Sequence, residues 1–179
     1  MASTVILRCT AKLAALVGRP SPEAASRAPN GDDWYANLVW IDGRKCLLVT
    51  HAGTLFSVFA PDVRAAQLRP LGRFVVPMIV AELALEGLGA DSLGALDPDG
   101  AVIAKTTDRS VLGCMNDLAF LCERAAAYDG GLVKLDLASL HHFLHRNLNS
   151  PRVSMAMKKS ALVAMKTPHW WPPEVRSPR

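Results

Sequence analysis

The sequence predicts an α+β fold: a mainly antiparallel sheet of four to five short strands, packed by helices. Three observations lead there. First, Asp42-Gly43 lies between two β-rich runs, Trp34 to Ile41 and Arg44 to Thr50, and Asp-Gly is the strongest short-range hairpin signal. Second, a long helical pattern runs from the Asp108/Ser110 region to Tyr128, where Gly130-Gly131 stops it. Third, both faces of the β-rich runs are largely apolar, which requires helices on more than one side of the sheet.

Taken in order, Val5 to Cys9 reads as a buried first strand, and Ala11 to Val17 as a short helix with Gly18 just beyond it. Arg19 to Asp33 is rich in Pro, Ser and Ala without apolar periodicity, the mark of a mobile surface loop. A two-residue turn at Asp42-Gly43 sets Ile41 opposite Arg44, Val39 opposite Cys46 and Leu38 opposite Leu47. Trp40 then faces Lys45 as a cross-strand aliphatic or cation–π pair. A second tight turn at Ala52-Gly53 leads into Thr54 to Phe59 and completes a β-meander over residues 34–59. Pro61-Asp62 ends it.

A helix is expected from about Arg73 to Glu86, with Pro77 tolerable only near its first turn. Gly87 to Gly100 connects it to a strand at Ala101 to Lys105 and then to the long helix. In that helix, Asp108 or Ser110 supplies the N-cap oxygen. A further helix covers about Leu135 to Asn147. Ser150-Pro151 opens a last one to about Lys166, as an N-cap followed by proline at the first helical position. The expected organisation is one domain, 1–166, and a Pro/Trp-rich tail, 167–179.

Composition sets bounds on function. Half of the 179 residues are hydrophobic, enough for a sizeable core. The longest apolar run, Phe74 to Leu85, holds Pro77 and Glu82 and falls short of the ~18 residues of a membrane span. The N-terminal residues lack a basic start and a long apolar run, so no signal peptide is read and the expected location is cytoplasmic. Cys9, Cys46, Cys114 and Cys122 show no C-x-x-C spacing and sit in apolar contexts, as buried free thiols do. Neither a disulfide framework nor a zinc site is expected, and no cofactor. From Arg146 onward seven basic residues face one acid, Glu174, a balance of +6 that leaves −2 for the rest of the +4 chain. Such a segment suits an acidic partner, a nucleic acid or an acidic protein, or simply keeps the end solvated. Arg152, Lys159 and Lys166 recur every seven residues and share a helix face, with Lys158 beside them. Trp170-Trp171, set between prolines, is either an anchor for a partner or a tail folding back on the body.

Within the long helix, Val111, Cys114, Met115, Leu118, Leu121, Cys122, Ala125 and Ala126 form the apolar arc. Arg109, Gly113, Asn116, Asp117 and Phe120 line the opposite stripe. A glycine inside a helix costs about 1 kcal/mol relative to alanine. It therefore marks either close packing within a buried Asn/Asp/Arg network or the approach of a ligand. Asp117 would be the base of an enzymatic reading. His141 and His145, four apart on a helix, could share a metal, but no third ligand stands near them. A solvated or capping pair is the better reading. Nucleophile-elbow and phosphate-loop motifs are not found.

The run Arg109-Ser110-Val111-Leu112-Gly113-Cys114-Met115-Asn116-Asp117, with Trp34-Tyr35-Ala36-Asn37-Leu38 and Arg44-Lys45-Cys46-Leu47-Leu48 upstream, resembles an uncharacterised bacterial domain family, a domain of unknown function. Thr54-Leu55-Phe56-Ser57 and Asn147-Leu148-Asn149 before Pro151 are similar to it as well. The likeness spans about Val5 to Lys166. This chain departs from it in the Pro/Ala-rich loop Arg19 to Asp33 and in the Trp/Pro tail. Some members look like accessory modules of plasmid-type or mobile-element proteins, so the resemblance implies nucleic-acid-related work and assigns no catalytic residue.

The leading expectation is a cytoplasmic binding or regulatory module with the basic C-terminal segment as its contact surface. The alternative is a small enzyme with its site on the Arg109/Asn116/Asp117 stripe.

Overall fold

The computed structural model describes residues 4–146. Five strands form one sheet: β1 (Ile6–Cys9), β2 (Trp34–Ile41), β3 (Arg44–His51), β4 (Ser57–Ala60) and β5 (Val102–Lys105), in the order β4-β3-β2-β1-β5. The meander β2-β3-β4 is antiparallel, with an eight-pair ladder between β2 and β3 and four pairs between β3 and β4, and β1 pairs in parallel with β2 over three pairs and with β5 over four. The fold is α+β with a mixed, mostly antiparallel sheet.

Helices cover both faces. In β2, Trp34, Ala36 and Leu38 point to one face and Tyr35, Val39 and Ile41 to the other. The first face packs on α1 (Ala11–Val17), through Leu13, and on α3 (Leu71–Leu85), through Leu71, Val75, Ile79 and Leu83. The second face packs on α4 (Arg109–Tyr128), through Val111, Met115, Leu118, Cys122 and Ala125. Leu140, Phe143 and Leu144 of α5 (Leu137–Arg146) complete that layer. Asp108 is the N-cap of α4 and accepts from the backbone N–H groups of Ser110 and Val111.

The hairpin register is the expected one, Ile41 with Arg44 through Trp34 with His51. Both turn residues have positive φ, 51° at Asp42 and 71° at Gly43, which defines a type I′ turn. The Asp42 carboxylate accepts from the N–H of Leu132 at 2.6 Å, tying the turn to the short 3₁₀ segment Leu132–Lys134 after α4. Lys45 Nζ lies 5.4 Å from the Trp40 ring centre.

Three expectations need correction. The connection after β3 is longer than a two-residue turn at Ala52-Gly53. His51 N–H donates to Phe56 O at 2.8 Å, Leu55 adopts φ 59°, and β4 starts at Ser57. The α3 helix starts at Leu71, so Pro77 lies beyond the first turn. Pro77 is exposed, so the carbonyl it leaves without an N–H partner can be met by water. Arg19 to Asp33 is an anchored segment. It carries the one-turn helix α2 (Pro22–Ala25), buries Ala24 against β1 and β5, and donates Ser21 N–H to Ile103 O at 2.9 Å. The last predicted helix and the tail lie outside the described residues.

Gly43→Val should destabilise the protein by about 1–2 kcal/mol, because it forces a β-branched side chain to positive φ. The measurement is the denaturant midpoint, which should fall without a change in the slope of the transition.

Candidate functional site

The α4 stripe is a solvent face. Arg109, Gly113, Asn116 and Asp117 are all exposed, and a Cβ placed on Gly113 meets no atom within 4 Å. The glycine is not a close-packing point, and the stripe does not line the cleft described below. Phe120, 56% exposed, continues it, with the Arg124 guanidinium 5.7 Å from its ring centre. The candidate residues Arg152, Lys158, Lys159, Lys166, Trp170 and Trp171 lie outside the described residues.

His141 and His145 of α5 are not solvated: the side chain of each is 4% exposed. They close the free edge of β4. His141 Nδ1 meets Glu82 Oε1 at 2.6 Å, and its Nε2 lies 2.9 Å from Phe59 N and 3.1 Å from Phe59 O. His145 Nδ1 meets Glu86 Oε1 at 3.1 Å, and its Nε2 meets Ser57 O at 2.7 Å. Their rings stack in parallel 6.0 Å apart, and His145 stacks on Phe56 at 4.1 Å. The spacing follows from element geometry. Four residues of helix rise roughly 6 Å, and two residues of strand rise roughly 6.7 Å. One rung therefore joins 82, 141 and 59, and the next joins 86, 145 and 57. The spacing of the histidines was readable from the sequence, but their partners lie about sixty residues away on α3 and could not be read.

Protonation follows from the partners. The Phe59 N–H donates to neutral His141, whose Nδ1–H faces the Glu82 carboxylate. Burial pushes His141 below the ordinary imidazole value, with His145 acting in the same direction and Glu82 and the Phe59 backbone opposing. Both ring nitrogens of His145 face oxygen atoms, the Glu86 carboxylate and the Ser57 carbonyl. Glu86 sits below the ordinary carboxylate range. Burial raises it, but the hydrogen bond and charge of His145, aided by Arg146 and His142, outweigh that.

A second polar cluster lies at the opposite side of the sheet. Arg8 on β1, 2% exposed, donates Nε to the Asp33 carboxylate at 2.5 Å, Nη1 to Lys105 O and Nη2 to Arg27 O. Asp33 also accepts from Asn30 N–H. A buried pair of this kind is costly to break from one side, and here it fastens the 19–33 segment across β1 and β5. Beyond it, at the start of β2, lies a cleft of about 370 Å³ lined by Thr4, Val5, Arg27, Asp32, Trp34 and Leu93 to Leu96. Trp34 is 1% exposed and packs edge-on against His51, ring centres 4.9 Å apart. Burial lowers the His51 pKa, against the pull of Asp32 and Asp33. Sequence reasoning did not join Trp34 and His51 to Asp32 and Arg27, because the residues meet only through the fold.

Three of the thiols, Cys9, Cys46 and Cys122, are inert. Burial pushes Cys9 up to about 12 and raises Cys46 and Cys122. Among the described residues no group of three or more His, Cys, Asp or Glu side chains is placed to hold a metal ion. No helix among them is long and apolar enough to cross a membrane.

Two outcomes follow. Gly113→Ala should leave the protein unchanged or stabilise it by up to about 1 kcal/mol through helix propensity, and a clear loss in denaturant midpoint would contradict a solvent-facing Gly113. Acidification should weaken the fold. Because His141 and His51 have lowered pKa values when folded, the unfolded chain binds more protons as pH falls through the ordinary imidazole range. Their stabilisation is complete above that range and is lost below it. Glu86 adds a further loss at lower pH, as it is protonated. The denaturant midpoint should therefore fall steadily from pH 7.5 to 5, and a flat profile would refute the assignment.

No curated protein and no solved structure matches this chain. A family model described as a domain of unknown function matches residues 6–159, from the first strand through the basic positions Arg152, Lys158 and Lys159. The α+β domain described above therefore belongs to the DUF6933 family.

Proposed function

We propose that this protein is a non-catalytic binding module that contacts nucleic acid through its basic C-terminal segment, with the α+β body as carrier. The supporting observation is the division of charge, +6 from Arg146 onward against −2 before it. The body contributes a fixed point of departure, since His145 and Arg146 end α5 in contact with Glu86. A segment leaving from there with Arg152, Lys158, Lys159 and Lys166 suits phosphate backbones, whose binding is driven mainly by counterion release. Trp170 and Trp171 would add base stacking on single strands, worth ~1–3 kcal/mol per base.

The test is fluorescence anisotropy of the full chain with short DNA and RNA at two salt concentrations. Affinity should fall steeply with salt. Arg152, Lys159 and Lys166, changed together to Ala, should weaken binding and lower the salt slope by about 3. Truncation after Thr167 should mainly weaken single-strand binding. Absence of binding at low salt would end the nucleic-acid reading and leave an acidic protein as the partner to seek.

A further inference from the structure

Two neighbouring parallel strands end side by side, and the chain leaves them toward opposite faces of the sheet. Cys9, the last residue of β1, pairs with Lys105, the last residue of β5. From Cys9 the chain turns into α1, which packs on the first face through Leu13. From Lys105 it runs through Thr106 and Thr107 to α4, which packs on the second face through Val111 and Met115. Connections that part in this way open a crevice outside the carboxyl ends of the strands, the place where open sheets of parallel strands bind ligands. A cleft of about 490 Å³ lies at this point, with Cys9, Lys105 and Thr106 of the strand ends among its walls. Its volume falls within the roughly 300–1,000 Å³ of small-molecule sites.

The walls define the ligand. Ala11, Ala14 and Ala15 of α1 give one apolar side. The charged residues that line the cleft are Arg19 and Lys105, and no acid lines it. Lys105 lies on the α1 face of β5, because Ala104 before it is buried on the other face against Ile6 and Ala24. Among the described residues neither Arg19 nor Lys105 takes part in an ion pair. Residues 147–179 hold six basic residues and one acid, Glu174, so that segment does not complement two cations. The N-terminus of α4 is not the anion-binding element, since the Asp108 carboxylate already accepts from its first N–H groups. We infer that this crevice binds a small organic phosphate monoester, with Arg19 and Lys105 meeting the phosphate and the alanine side of α1 meeting the apolar body. Two cations without an acid suit a dianionic phosphate better than a single carboxylate. The site lies on the body and is separate from the basic segment.

The experiment uses the full ¹⁵N-labelled chain and phenyl phosphate as probe, with benzyl alcohol, benzoate and inorganic phosphate as controls. Phenyl phosphate should shift the Ala11, Ala15 and Thr106 amide signals saturably, more tightly than benzoate or inorganic phosphate, and benzyl alcohol should leave them in place. Arg19, Lys105 and Ala15 are exposed, so they can be changed without touching the core, and an unchanged denaturant midpoint verifies the fold of each variant. Arg19→Glu and Lys105→Glu should each abolish the response, while Lys105→Arg should keep it. Ala15→Trp should fill the cleft and abolish it as well. The triple Ala variant at Arg152, Lys159 and Lys166 should respond like the parent, which separates this site from phosphate binding by the basic segment. No saturable response to phenyl phosphate would overturn the inference. So would a response equalled by benzoate or benzyl alcohol, or one that survives both charge reversals and is lost in the triple variant.

Discussion

Four side chains wrapped around one strand edge join the three layers of this protein. Glu82 and Glu86 come from the helix on one face of the sheet, and His141 and His145 come from a helix on the other. Between them they take the outward backbone groups of β4 at Ser57 and Phe59. An edge strand with unpaired backbone groups invites pairing with another chain. Here the same contacts that block such pairing also hold α3 and α5 to each other around the sheet. The second helical layer is thus positioned by ionisable groups as well as by Leu140, Phe143 and Leu144, which makes its attachment sensitive to protonation in a way that a purely apolar interface is not.

Much of this architecture can be read in the sequence where the signals are local. Asp42-Gly43 specifies its turn because few residue pairs adopt positive φ twice in succession. The register of β2 and β3 then follows by counting. Asp108 marks the start of α4 because its carboxylate is within reach of two N–H groups immediately downstream. The non-local features are less legible. The His141 and His145 spacing gives no hint of Glu82 and Glu86, since helical spacing constrains what shares a face and not what meets it. The 19–33 segment lacks periodicity, yet one buried ion pair to Arg8 fastens it. Gly113 shows the reverse error, because low helix propensity on an exposed surface is tolerated without any packing reason.

Two regions emerge with different chemistry. The basic segment from Arg146 on is charged along its length and has a place of departure fixed by α5. The cleft beside Trp34 combines apolar walls, Val5, Leu93 and Leu96, with the charged Arg27 and Asp32. The Arg8–Asp33 pair holds the loop that brings Arg27 and Asp32 to that cleft, so the integrity of the cleft rests on a contact at the adjoining strand.

The matched rungs along β4 also constrain how such a chain can change over generations. A single residue inserted between His141 and His145, or between Ser57 and Phe59, would put the helix and strand repeats out of phase and leave at least one rung unmade. Substitutions there can be conservative, but changes of length cannot. The stretch after Glu86, by contrast, carries no rung and reaches β5 through residues that are mostly exposed or half-buried. Variation in length among related chains should therefore collect between α3 and β5 and be excluded from the few residues that frame the edge.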